Sequence, residues 1–139
     1  MKELVFILFL SVGCYAQEFT GKWHVVVFED QKVYANKLKD SIVIKDPHQH
    51  ETATDFKKLA EEYVYKSTLT FYDNGTVETY DPLTGSTASQ FEIDRVNKRI
   101  ITIEKNGKRE EASYTFENGI LFIHPSKNNA TISIGFIKE

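Results

Sequence analysis

The stretch Lys66–Tyr80, KSTLTFYDNGTVETY, decides the fold. Leu69 and Phe71 fall two apart, so they share one face of an extended chain. Asp73-Asn74-Gly75 follows at once, and Asn-Gly supplies the positive φ angles of a tight hairpin turn. The chain resumes with Thr76-Val77-Glu78-Thr79-Tyr80, rich in the β-branched residues that suit a pleated, half-buried surface. One strand, one turn and a second strand are thus read from a single segment.

The same unit repeats toward the C-terminus. Asp81–Gly85 is a looser connection. Phe91 and Ile93 then alternate against Glu92 and Asp94, and Asn97-Lys98 turns the chain. Ile101 and Ile103 alternate against Thr102 and Glu104, before a second Asn-Gly pair at Asn106-Gly107. Ala112, Tyr114 and Phe116 alternate next, and Asn118-Gly119 is the third such pair. Ile120–His124 is a short apolar run, Pro125–Asn129 turns again, and Ile132, Ile134 and Phe136 close the series. From Lys66 onward this makes seven strand-like runs, and Trp23, Val25 and Val27 on one face of a first strand make eight. Short connections pair each strand with the next, an antiparallel up-and-down meander. Closing it removes both exposed edges. Eight strands enclose room for side chains or for one small ligand.

Glu29–Tyr63 is a long insertion between the first two main strands. Phe56, Leu59, Ala60 and Tyr63 fall at i, i+3, i+4 and i+7, which predicts one amphipathic helix over a mouth or flank of the barrel. Thr52 with Asp55 three residues on predicts its N-cap. Ser41–Lys45 reads as a short extra strand that Pro47 stops.

The chain's 139 residues suit a single domain, and a net charge of -3 with pI ≈ 5.8 leaves no basic balance for nucleic acid. Met1-Lys2, the apolar run Leu4–Val12 and the small residues before Gln17 have the layout of a secretory signal peptide, 1–16. Residues 17–139 then form the mature domain. The apolar run is far too short for a membrane-spanning helix. Gly13-Cys14 offers an alternative, a lipidated Cys14 anchoring the protein to the envelope, and a membrane is a partner only in that case. Either way the protein is expected to leave the cytoplasm, as a secreted or periplasmic protein. Cys14 is the one cysteine, so the mature domain has no disulfide, Cys-based zinc site or redox pair.

Gly21-Lys22-Trp23 opens the first strand just after the signal peptide. With Phe71–Thr76, Phe91–Asp94 and Asn97–Ile103 it resembles the lipocalin-like (calycin-type) domains exported by Bacteroidetes-type bacteria. The resemblance covers nearly all of the mature chain. It implies an eight-stranded barrel, a Trp23 that plugs the floor, and a hydrophobic ligand. The chain departs from the pattern in three ways. The second signature, Thr-Asp-Tyr, and the usual disulfide are absent, and Lys138 is the sole candidate for the basic residue over the Trp. Barrels with a Gly-x-Trp entry also resemble bacterial metalloprotease inhibitors. There the matching trunk, Gln17–Thr20, would enter a protease.

No catalytic set emerges, so the chain is read as not an enzyme. His48 and His50 could share a strand face, but a zinc site needs three or four ligands. His24 and His124 read as wall residues. Glu92 with Asp94 reads as surface charge, and Glu110-Glu111 is the other carboxylate pair considered for acid–base work. No Gly-x-Ser-x-Gly elbow and no phosphate loop is present, and no cofactor is implied. Asn74-Gly75-Thr76 and Asn129-Ala130-Thr131 match the glycosylation sequon but read as turns. The interior is the candidate site: Trp23, Val25, Leu69, Phe71, Phe91, Ile93, Ile101, Tyr114, Phe116, Ile134 and Phe136, with Tyr114 as a polar handle. Such a lumen either fills with its own side chains or holds a small hydrophobic molecule. The partner expected is that ligand; no particular protein partner is indicated.

Overall fold

The computed structural model describes residues 18–46, 48, 52–126 and 131–139. Ten strands form one antiparallel sheet: β1 (Gly21–Glu29), β2 (Val33–Asn36), β3 (Ser41–Ile44), β4 (Thr68–Phe71), β5 (Thr76–Asp81), β6 (Gly85–Asp94), β7 (Arg99–Ile103), β8 (Arg109–Glu117), β9 (Ile120–Pro125) and β10 (Ser133–Lys138). From β4 to β10 each strand pairs with its successor. β1 joins β4 on one side and β10 on the other, which closes an eight-stranded barrel.

The turns do what their residues dictate. At the β8–β9 hairpin both Asn118 (φ 52) and Gly119 (φ 79) are left-handed, a pairing that matches the twist of the strands it joins. The connections before β5, β7 and β9 lie at one end of the barrel, here the lower. Those before β6 and β8 lie at the upper end.

β2 and β3 are a hairpin outside the eight. Asp30 nucleates the entry: its Oδ1 accepts from the backbone N–H of Lys32 at 2.7 Å and of Val33 at 2.9 Å. β1 then divides its pairing. Residues 21–24 pair with β4, and residues 27–29 pair with β2. The switch coincides with an irregularity between Val25 and Val27 against β10, where Val26 is the extra residue and its carbonyl accepts from Lys37 N–H at 2.8 Å. This bulge reverses the face of everything after it. Val27 stands with Gly135 on the outer face and Phe28 with Ile134 on the inner one, so the expectation that Val27 shares a face with Trp23 and Val25 is corrected. At Gly135 a Cβ would come within 2.9 Å of Val27 Cβ, so the seam needs a residue without one.

The predicted helix is present as α1 (Ala53–Leu59), continued by a π-helical turn at Ala60–Val64. Thr52 and Asp55 form a full capping box. The π turn, closed by Tyr65 N–H to Ala60 O at 2.8 Å, inserts one residue into the helical phase. Ala60 is therefore buried and Val64 and Tyr65 pack on the core, while Leu59 and Tyr63 stay exposed. The expected face, Phe56-Leu59-Ala60-Tyr63, is half right for that reason.

Candidate functional site: a barrel filled below and hollow above

The lower end is packed with aromatic rings. Phe19, just before β1, is fully buried, and its ring lies 5.6 Å from Phe71, 5.1 Å from Tyr114 and 5.4 Å from Phe116. Phe71 meets Phe91 at 4.9 Å, edge to face. Such tilted and T-shaped contacts are the favoured ones for aromatic quadrupoles. Trp23 joins the plug through Phe116, and its Nε1 donates to Phe19 O at 2.8 Å, which satisfies its buried N–H. Lys138 Nζ lies 5.6 Å from the centre of the Trp23 ring, within reach of a cation–π attraction.

Above this floor the barrel is hollow. A cavity of about 730 Å³ is lined on its inner walls by Leu69, Phe71, Val77, Ile100, Ile134 and Phe136. That volume lies within the range of roughly 300–1,000 Å³ usual for small-molecule pockets. A second chamber of about 310 Å³ adjoins it, sharing Phe28, Leu69, Thr79, Ile134 and Phe136 as wall. This smaller chamber occupies the fork that opens where β1 leaves β4 for β2. Val64 of the π turn covers it, and Ser67, Thr68, Tyr80 and Asp81 edge it.

The interior residues read from the sequence divide between these zones. Leu69, Phe71, Ile134 and Phe136 line the larger chamber, and Val25 lines the smaller. Trp23, Phe91 and Tyr114 belong to the buried core, and Ile93 packs against it. Tyr114 lines neither chamber, so its hydroxyl is no handle for a molecule held there; burial pushes its pKa up. Phe116 keeps 39% of its surface exposed at the edge of the plug.

Ile101 is corrected. It pairs with Glu92 and Glu111, and so stands on the outer face, while Ile100 faces inward opposite Ile93 and Ala112. Arg99–Ile103 carries isoleucine at both parities, and a one-residue slip exchanges the faces. Phe19, Phe28, Val77, Leu121 and Ile123 are further interior residues outside the sequence-derived set. Phe19 lies before the first alternating run, and Phe28 is placed by the bulge.

The charged candidates fall on the surface. Glu92 is exposed, and Asp94 accepts from Asn97 Nδ2 at 2.8 Å, which holds its carboxyl below the usual range. Glu110 and Glu111 edge the larger chamber, each held by cations: Lys108 on Glu110, Arg99 and Arg109 on Glu111. His24 sits beside Glu139, Nε2 to Oε1 at 3.6 Å. His48 is exposed, and His50 lies outside the described residues. Among the described residues no three His, Cys, Asp or Glu side chains gather as metal ligands. Residues 1–16, read as a signal peptide and containing Cys14, lie outside the described residues together with Gln17 and the Asn129-Ala130 part of the second sequon.

No family model matches the sequence, and no curated protein matches it either. Among solved structures the chain is similar to a DUF4847 family protein from Bacteroides vulgatus ATCC 8482. The TM-score is 0.57 at 18% identity, covering 90% of this chain and 99% of that one. The likeness is one of fold. It extends over almost the whole of both chains and so includes the barrel that holds the chambers.

Proposed function

We propose that this chain is a secreted or envelope-associated lipocalin-like binding protein, without enzymatic activity, that holds a small hydrophobic molecule in its upper barrel. The observation that carries this reading is the apolar chamber of about 730 Å³ above a sealed aromatic floor. Burying apolar ligand surface there yields roughly 25 cal/mol per Å². The floor gives the chamber its base, and the fork beside Val64 gives it a flank that, among the described residues, the π turn covers.

A role as a protease inhibitor acting through Gln17–Thr20 is less well supported. Phe19 is fully buried in the floor, held by three ring contacts and by the Trp23 hydrogen bond, so this residue of the trunk is committed to the barrel. Export through residues 1–16, or anchoring through Cys14, places the same binding site outside the cytoplasm.

The test is titration with an uncharged environment-sensitive dye such as N-phenylnaphthylamine. Saturable uptake at one site, displaced by a long-chain alcohol, is expected. Absence of uptake, or uptake that no alkyl competitor displaces, overturns the reading.

A further inference from the structure

Closing the barrel removes the edges of its eight strands, but the β2–β3 hairpin brings one back. β3 ends the sheet order, and among the described residues its outward side pairs with no strand. The register fixes which groups stand there. Lys45 N–H donates to Lys32 O at 2.8 Å, so Lys45 and, two and four residues back, Val43 and Ser41 turn their backbone groups toward β2. Ile42 and Ile44 turn theirs outward, which leaves two N–H donors and two C=O acceptors on an open edge. Such a row is a template for another extended chain.

Apart from its shortness, Ser41–Ile44 carries none of the usual guards of an edge: no charge, proline or bulge. Val43 is 49% exposed on the outer face, beside its β2 partner Tyr34. The charges at either end are already engaged. Lys45 Nζ lies 2.6 Å from Glu29 Oε2, and Lys57 Nζ lies 3.0 Å from Asp40 Oδ1. At Asp40 (φ 47) the chain turns into the hairpin loop, so the open ladder runs from Ser41 to Lys45.

We propose that this edge pairs with the same edge of a second copy of the chain, antiparallel about a two-fold axis at Val43. In that register Ile42 stands opposite Ile44 of the partner subunit, and Ile44 opposite Ile42 of the partner subunit. The two pairs exchange their hydrogen bonds, which uses every open group on both edges. Val43 meets Val43 of the partner subunit, so the apolar row Tyr34–Val43 is matched by an identical row. Ser41 stands opposite Lys45 of the partner subunit, and no like charges are opposed. Moving the axis to Ile42 would set Ile44 opposite Asp40, where the chain has already turned away. The edge is thus complementary to itself, the requirement of a two-fold interface. Two such short edges bury less than the roughly 1,200 Å² of a stable interface, so the dimer is weak and reversible. The inference is independent of what the chamber holds.

The experiment is sedimentation equilibrium of residues 17–139, which should be monomeric at about 10 μM and mainly dimeric at about 1 mM. Val43→Lys sets two like charges across the axis and should raise the dissociation constant about fivefold. Single cysteines then test the register, since residues 17–139 contain none. At the axis the Cα atoms of a non-hydrogen-bonded pair lie about 4.5 Å apart, within reach of a disulfide. The two copies of residue 41 would lie about 13 Å apart. In a glutathione redox buffer Val43→Cys should therefore cross-link about tenfold faster than Ser41→Cys. If Val43→Lys does not fold, the cysteine pair decides. A monomer at every concentration overturns the proposal and leaves the edge to a strand of another protein. A dimer that Val43→Lys leaves unchanged, or equal cross-linking at positions 41 and 43, overturns it too.

Discussion

Replacing Ala112 with phenylalanine tests directly whether the upper barrel is hollow. Ala112 stands inward on β8 between Ile100 and Pro125, at the wall of the larger chamber. In a closely packed core the added ring would force side chains off their rotamers and cost about 1–3 kcal/mol. A cavity of roughly 150 Å³ already accommodates benzene, and the chamber measures about 730 Å³. The new ring therefore has space, and burying it yields about 1.5–3 kcal/mol. Lost rotamer freedom and incomplete contact on the empty side offset part of that gain. The net expectation is a change between zero and about 2 kcal/mol in favour of folding, at unchanged m-value in urea denaturation. Dye affinity should drop at the same time, because the ring occupies ligand space. A loss of 1–3 kcal/mol with the same m-value would refute the reasoning and show that side chains already fill the lumen.

Three further outcomes follow from the same geometry. Leu121→Ala removes a fully buried side chain from the core, so it should lose about 2–5 kcal/mol in the same denaturation assay. Thr52→Ala deletes the capping box that starts α1 and should cost about 1 kcal/mol, with reduced amide-exchange protection over residues 53–59. Hydrogen bonds from Asn97 hold Asp94 below its ordinary pKa of 3.8, and hydrogen bonds from Thr84 do the same for Asp81. Their folded-state values are depressed, so the stability they contribute is complete above the ordinary carboxylate range and is lost as pH falls through the depressed values. The urea midpoint should therefore decline below about pH 4, and by less in Asn97→Ala, as titration of the midpoint against pH would show.

Seven of the eight barrel strands were legible because turn chemistry and alternation agree along Lys66–Glu139, where each Asn-Gly pair marks a reversal between two strand-like runs, and β1 was legible from the alternation of Trp23 and Val25. Three kinds of feature were not. Phe28 enters the lumen through a bulge at Val26, and nothing in Trp-His-Val-Val-Val-Phe marks which valine is the extra residue. Ile100 and Ile101 are chemically interchangeable, so only the pairing with β6 and β8 decides which one faces inward. The ion-pair cluster at Glu111 is a cross-strand object: Arg99 and Arg109 lie on different strands and meet at Glu111 through register. The β2–β3 hairpin was half seen. Ile42-Val43-Ile44 reads as a strand, but its partner Val33–Asn36 is too short and mixed to announce itself. The division of the interior into a filled floor and an open chamber depends on Phe19, which folds back under the barrel from outside the alternating pattern.

The most direct test of the central claim is a native mass spectrum of the protein isolated from its own producing cells, compared with a denaturing spectrum of the same sample and repeated after incubation with excess dodecanoate. The account predicts a lipid-like mass excess that one chain carries natively and loses on denaturation, or a single dodecanoate taken up by the bare chain. A bare protein mass before and after that incubation would contradict it.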